Sequence, residues 1–315
     1  MIRLVLRAHV NSMCRHREPA LNWRDPEGVH DMRVLSRRLR CAINDFKPYF
    51  RKGSLPRPKL RAIADSLGAV RDEDVALMAL HELKSQAKGA AAEGIKLLMD
   101  ERKQRRTSAR TTLKTDMDGP TLEGFRKDFL AKLQAMTIAA PTRAVDPAAA
   151  RIAMPFGELG ALVIKARLGE FIAASSCLFQ PNKIKQLHEL RILAKRLRYS
   201  MKLFARCGDK ELEAMAKEVA LMQTALGESH DCDVWISDLG TRLRRLSRKA
   251  TLELNDEKFR AGAMWLLKHF ATARLEHYRD ALSRWEQWQS DKFLEGLALR
   301  LEPDSSIAIA ESRAA

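Results

Sequence analysis

The chain has 315 residues, a hydrophobic fraction of 46%, a net charge of +16 and a sequence pI near 9.9. That composition supports real cores, and the cationic excess runs through both halves, which points away from basic partners and towards an extended polyanion. Five cysteines with no C-x-x-C pair argue against structural zinc or a disulfide framework and fit a reducing, cytoplasmic setting.

Taken in order, residues 2–17 read as a helix carrying Leu4, Val5 and Met13, while Arg3, Arg7 and His9 break any signal-peptide core. Gly28 precedes a helix that runs to about Phe46. Pro48, Gly53, Pro56 and Pro58 make the segment from Lys47 to Pro58 a loop. A helix from Lys59 is expected to end at Leu67-Gly68, with Gly68 as its C-terminal cap. Asp72 or Asp74 would then cap a helix from Val75 to Lys88. Helical patterns follow over Ala91–Thr115 and Leu122–Met136, and the proline- and alanine-rich stretch from Ala139 to Pro155 reads as a linker. The pattern restarts at Val163–Leu168, matching Val5–Val10. Beyond it come a helix after Pro181-Asn182, a turn at Gly208, and a helix from Lys210 that ends at Gly227. Later helices are expected over Val234–Leu254, Glu257–Glu286 and Asp291–Leu301, with a frayed tail after Pro303. No β-strand alternation, Gly-rich phosphate loop or apolar run near the ~20 residues of a membrane span is present.

Two stretches occur twice. His30–Arg40 (HDMRVLSRRLR) returns at His188–Arg198 (HELRILAKRLR), at an offset of 158 residues, which implies a duplicated unit. On a helix advancing ~100° per residue, His30, Arg33, Arg37 and Arg40 share one face, and His188, Arg191, Lys195 and Arg198 do the same. Met32, Leu35, Leu39, Ile43 and Phe46 lie opposite, as do Leu190, Leu193, Leu197, Met201 and Phe204. Arg38 and Arg196 fall at the edge of the cationic face. Like charges at this spacing repel, and the glutamates that would dilute an ordinary solvated face are missing. An anion-binding surface is the reading that follows. The second pair is Leu67–Val75 (LGAVRDEDV) and Leu226–Val234 (LGESHDCDV). A metal site on His230, Asp231 and Asp233 is disfavoured because Arg71 stands where His230 does, and arginine does not ligate metals. Carboxylates that cap helices and pair with nearby arginines fit better.

These paired motifs, H-x-x-R-x-x-x-[RK]-R-L-R and L-G-x-x-[RH]-D-x-D-V, resemble those of the CHAD domain, the conserved histidine α-helical domain, over about Arg3 to Leu301. The architecture expected is all-α. Two up-and-down four-helix bundles, residues 1–138 and 157–302, would be related by pseudo-twofold symmetry across a basic groove, with 139–156 as linker and 303–315 as tail. The resemblance implies binding of inorganic polyphosphate, sulfate or phosphate ions as mimics, and association with cytoplasmic polyphosphate granules. Carried over by position, the groove would be lined by His30, Arg33, Arg37, Arg38 and Arg40 with His188, Arg191, Lys195, Arg196 and Arg198. Arg7 and Lys165 occupy matching places on the first helix of each unit.

The expectation is a non-catalytic binding module with no cofactor, metal or membrane partner. One alternative is a phosphoryl-transfer enzyme using His30 or His188 as phosphoacceptor, since an arginine-rich cradle suits that chemistry. Another is nucleic-acid or general polyanion binding. It is disfavoured because Trp265, Trp285 and Trp288 lie among core-like neighbours and do not interleave with the motif cations.

Overall fold

A computed structural model describes residues 1–139, 142–143, 152–205, 209–249 and 251–302. Its described residues are nearly all helical, as expected of an all-α chain. Gly208, most of the expected linker and the tail after Glu302 lie outside the described residues.

The first elements are α1 (Ile2–Arg15), α2 (Arg17–Leu21), α3 (Glu27–Phe46), β1 (Phe50–Lys52), α4 (Arg57–Gln86), α5 (Ala90–Asp116), α6 (Gly119–Ala135) and β2 (Thr137–Ile138). They are followed by β3 (Thr142–Arg143), β4 (Ile152–Ala153), α7 (Phe156–Ala174), α8 (Ile184–Ala205), α9 (Lys210–Leu246), α10 (Leu254–Ser290) and α11 (Phe293–Arg300). Short antiparallel pairings join β1 to β2, with Phe50 opposite Ile138, and β3 to β4. Two or three residues are too few to show alternation, so these ribbons are silent in the sequence.

The contacts divide the chain into two units. One holds residues 1–139 and 234–272, the other 140–233 and 273–315. Residues 234–272, parts of α9 and α10, thus belong to the first unit.

In the first unit, α1 buries Ile2, Leu6, Val10 and Met13, one per helical turn, against α3. Each fully buried side chain of this kind contributes roughly 1.5–3 kcal/mol. Two arginines hold helix ends. Arg3 donates to Leu133 O and Met136 O after α6, and Arg17 donates to Met117 O after α5. Such contacts satisfy carbonyls that the helix itself leaves unpaired. Asp118 caps α6 by accepting from Thr121 N at 2.6 Å.

Residues 234–272 join this unit through a glycine crossing. A Cβ at Gly94 of α5 would lie 2.0 Å from Lys258 O, and one at Gly262 of α10 would lie 2.8 Å from Gly94 C. Only two glycines permit this backbone approach. Charged pairs flank it: Lys258 with Glu93, Arg242 with Glu101, and Arg102 with both Glu73 and Asp238.

In the second unit, the ring of Phe204 lies so close to Gly160 that any Cβ there would clash, and it packs 4.8 Å from the Phe156 ring. Trp285 and Trp288 are buried around Phe171, while Tyr278 donates its hydroxyl to Leu178 O. These two tryptophans serve a core.

The two helix breaks expected at glycine are absent. α4 runs for 30 residues through Gly68, and α9 for 37 residues through Gly227. A glycine cap needs a left-handed backbone, and among the described glycines only Gly53 and Gly89 have positive φ. Asp72, Asp74, Asp231 and Asp233 therefore lie inside helices and cap nothing.

Candidate functional site

Because α3 is continuous, His30, Arg33, Arg37 and Arg40 stand on one of its faces, while Met32, Leu39, Ile43 and Phe46 are buried on the other. α8 repeats this with Leu190, Leu197, Met201 and Phe204 buried behind His188, Arg191, Lys195 and Arg198. Leu35 and Leu193 are half-buried at the margin of their ridges.

The second signature explains how the motif arginines are held. Arg33 Nη1 donates to Gly68 O at 3.2 Å and to Asp72 Oδ1 at 2.6 Å. A Cβ at Gly68 would sit 3.7 Å from that nitrogen, so the bare glycine leaves the guanidinium room to lie along α4. In the second unit Arg191 lies against Gly227, where a Cβ would stand 3.4 Å from Nε, and its Nη2 is 3.9 Å from Asp231 Oδ1. Glycine and aspartate are four residues apart in both copies, one helical turn, and so form one seat on the helix surface. Asp72 and Asp231 are largely exposed. Ion pairs of that kind contribute at most about 1 kcal/mol, so the carboxylate matters more for aiming the arginine than for stability.

The second aspartate of each signature works differently. Asp74 is buried and takes Arg106 and Arg110 of α5 at 3.4 and 3.5 Å. Asp233 takes Arg274 of α10 at 2.5 Å, and Arg274 also donates to Pro181 O. These carboxylates tie helices together. Stripping a partner from a buried pair such as Asp74's costs roughly 3–5 kcal/mol.

The two copies differ at the preceding position. Arg71 reaches Glu27 at 3.7 Å, whereas His230 packs its ring 4.0 Å from that of His188, tilted by 39°. Burial is the main cause that lowers the His188 pKa, and Arg191 and Lys195 add to it. The same burial, then His188, Arg191 and Lys195, bring His230 down to about 4. At both rings desolvation outweighs the surrounding cations. Nδ1 of both rings is buried and unpaired among the described residues. No three His, Cys, Asp or Glu side chains of the described residues are grouped to hold a metal ion.

The remaining predicted positions vary. Arg7 on α1 and Lys165 on α7 are exposed, Lys165 with Nζ 4.0 Å from Glu302. Arg40 and Arg196 are exposed, and Arg38 is half-buried. Arg198 lies with its guanidinium 4.9 Å over the ring of buried Tyr199. The glycine seats were missed in the sequence, although the equal Gly-to-Asp spacing in both copies was the available signal.

The sequence profile of the CHAD domain matches residues 4–240. The chain belongs to the CHAD domain family. Its fold is similar to that of the CHAD domain from the plant Ricinus communis, with a TM-score of 0.65 and 20% identity over 90% of this chain and 92% of that one. It is also similar to PptA from Streptomyces chartreusis, with a TM-score of 0.61 and 17% identity over 90% and 98% of the two chains. No curated protein matches the sequence. No helix of this CHAD chain, among the described residues, is long and apolar enough to cross a membrane.

Proposed function

We propose that this CHAD protein binds inorganic polyphosphate on the basic faces of α3 and α8, as a binding module without catalytic turnover. The observation that carries the reading is the repeated seat, Arg33 on Gly68 and Asp72 and Arg191 on Gly227 and Asp231. Each seat aims a forked donor before any ligand arrives, which lowers the ordering cost of binding. A ligand of repeating charge and no sequence suits evenly spaced cations, with free phosphate or sulfate as weak mimics. The family's general association with polyphosphate supports the same partner, and association with polyphosphate granules would follow from it. In this reading the duplicated faces are equivalent, with Arg37, Arg40, Lys195 and Arg198 as further contacts and Arg7, Arg38, Lys165 and Arg196 at the margins.

Charge reversal tests it. Arg33→Glu with Arg37→Glu, and separately Arg191→Glu with Lys195→Glu, should each weaken polyphosphate binding at least 100-fold with the helical signal intact. An unchanged affinity in either variant would remove that face from the site. A stoichiometric, acid-labile +80 Da adduct on His188 after exposure to a phosphoryl donor would replace the binding module with a phosphohistidine carrier.

A further inference from the structure

The first unit holds a second cationic feature that the motif faces do not use. An open cavity of about 570 Å3 lies between Trp23, α4 and α5, within the size range of small-molecule sites. Its lining is mixed in a particular way. Trp23, Leu77, Met78 and Met99 supply aromatic and apolar surface, and Met78 is 60% exposed. Arg24, Lys103, Arg106 and Arg110 supply four cations against the carboxylates of Asp74 and Glu82, so the formal charge of the wall is positive.

The charges are only partly consumed internally, Lys103 by Asp100 at 2.9 Å. Asp74 Oδ1 serves both Arg106 and Arg110 at long distances, while Asp74 Oδ2 and Arg110 Nε are buried without a partner among the described residues. Burial and the neighbouring Arg106 both lower the Arg110 pKa, so an anion between these guanidiniums would relieve their repulsion. Arg110 also lies 5.1 Å over the Trp23 ring, which holds the indole against the cationic wall.

A bare phosphate chain has no use for the apolar part of this wall, and an apolar ligand has none for the arginines. We propose that the cavity binds a nucleoside phosphate, with its base against Trp23 and Met78 and its phosphates on Arg106 and Arg110. An aromatic face stacks a base, and arginine supplies the forked phosphate contact. The inference is independent of polyphosphate binding, because no residue of the two basic motifs lines this cavity.

Equilibrium dialysis of the full chain against ADP, adenosine and tripolyphosphate tests it. ADP should bind one per chain, with Trp23→Ala and Arg106→Gln each weakening it at least tenfold and Trp23→Phe retaining it. Adenosine alone should bind at least tenfold more weakly, and tripolyphosphate should not displace ADP at equal concentration. The Arg33→Glu/Arg37→Glu and Arg191→Glu/Lys195→Glu variants should keep ADP binding. Circular dichroism of each variant reports whether it is folded. No ADP binding at millimolar concentration would overturn the proposal. So would ADP binding that Trp23→Ala and Arg106→Gln leave unchanged in folded protein, or that is lost in the motif variants and displaced by tripolyphosphate, since ADP would then be one more anion on the basic faces.

Discussion

Arg33 of α3 and Asp72 of α4 meet at 2.6 Å although 39 residues separate them in the chain, and the pair lies on a backbone left bare by Gly68. Arg191 and Asp231 repeat the relationship more loosely, at 3.9 Å. A carboxylate that aims an arginine also competes with any phosphate that approaches it.

That competition has a measurable sign. Asp72→Asn and Asp231→Asn each remove one negative charge from beside the polyphosphate surface, and each should raise affinity about three- to fivefold at low salt. Stability should fall by no more than about 1 kcal/mol, since both carboxylates are exposed. Titration of the two variants and their combination reads this directly. Weaker binding would mean that the aspartates organise the arginines more than they compete.

The glycines separate a continuous helix from a capped one. At Gly68 the nearest atom to a new Cβ is 3.7 Å away, an ordinary contact. Gly68→Ala should therefore stabilise the protein by up to about 1 kcal/mol through helix propensity. A left-handed cap would give the opposite sign. Gly94→Ala, in contrast, puts a methyl 2.0 Å from Lys258 O and should cost roughly 1–3 kcal/mol or more. Thermal melts of both variants distinguish the cases.

Polyphosphate binding should fall steeply with salt. If four to eight phosphates are neutralised, a slope of about −0.7 per contact gives a loss of roughly 50- to 2,000-fold between 50 and 200 mM. Titrations at four salt concentrations supply the slope. A flat response would remove the electrostatic basis of the proposal.

The paired imidazoles predict two pH effects. His230 is held neutral in the fold, its pKa lowered by burial from the ordinary 6.5 to about 4. The unfolded chain therefore takes up the proton first. Stability from this group is complete above pH ~6.5 and is lost as pH falls towards 4. The melting temperature should drop over that window, and less so in His230→Gln. The His188 pKa is also lowered, and a bound polyanion opposes that shift, so binding takes up protons. Polyphosphate affinity should accordingly rise from pH 8 to 6 and respond less in His188→Gln.

Much was legible before any fold was seen. A period of 3.6 fixes which side of one helix is apolar, so the faces of α3 and α8, the all-α class and the family follow from residues close in the chain. The expected helix ends at Gly68 and Gly227 did not follow, because a glycine permits both a left-handed cap and a helical interior. Packing against Arg33 and Arg191 accompanies the second choice. Likewise, the sequence disfavoured a metal set on His230, Asp231 and Asp233 but did not reveal the partner of His230, the ring of His188 some forty residues earlier in the chain. The assignment of residues 234–272 to the first unit was equally hidden. Gly94 and Gly262 meet backbone to backbone there across more than 160 residues. Local periodicity carries no term for such an encounter. Which helix a bare glycine surface receives is decided by the partner that packs there, and only the tertiary structure brings that partner in.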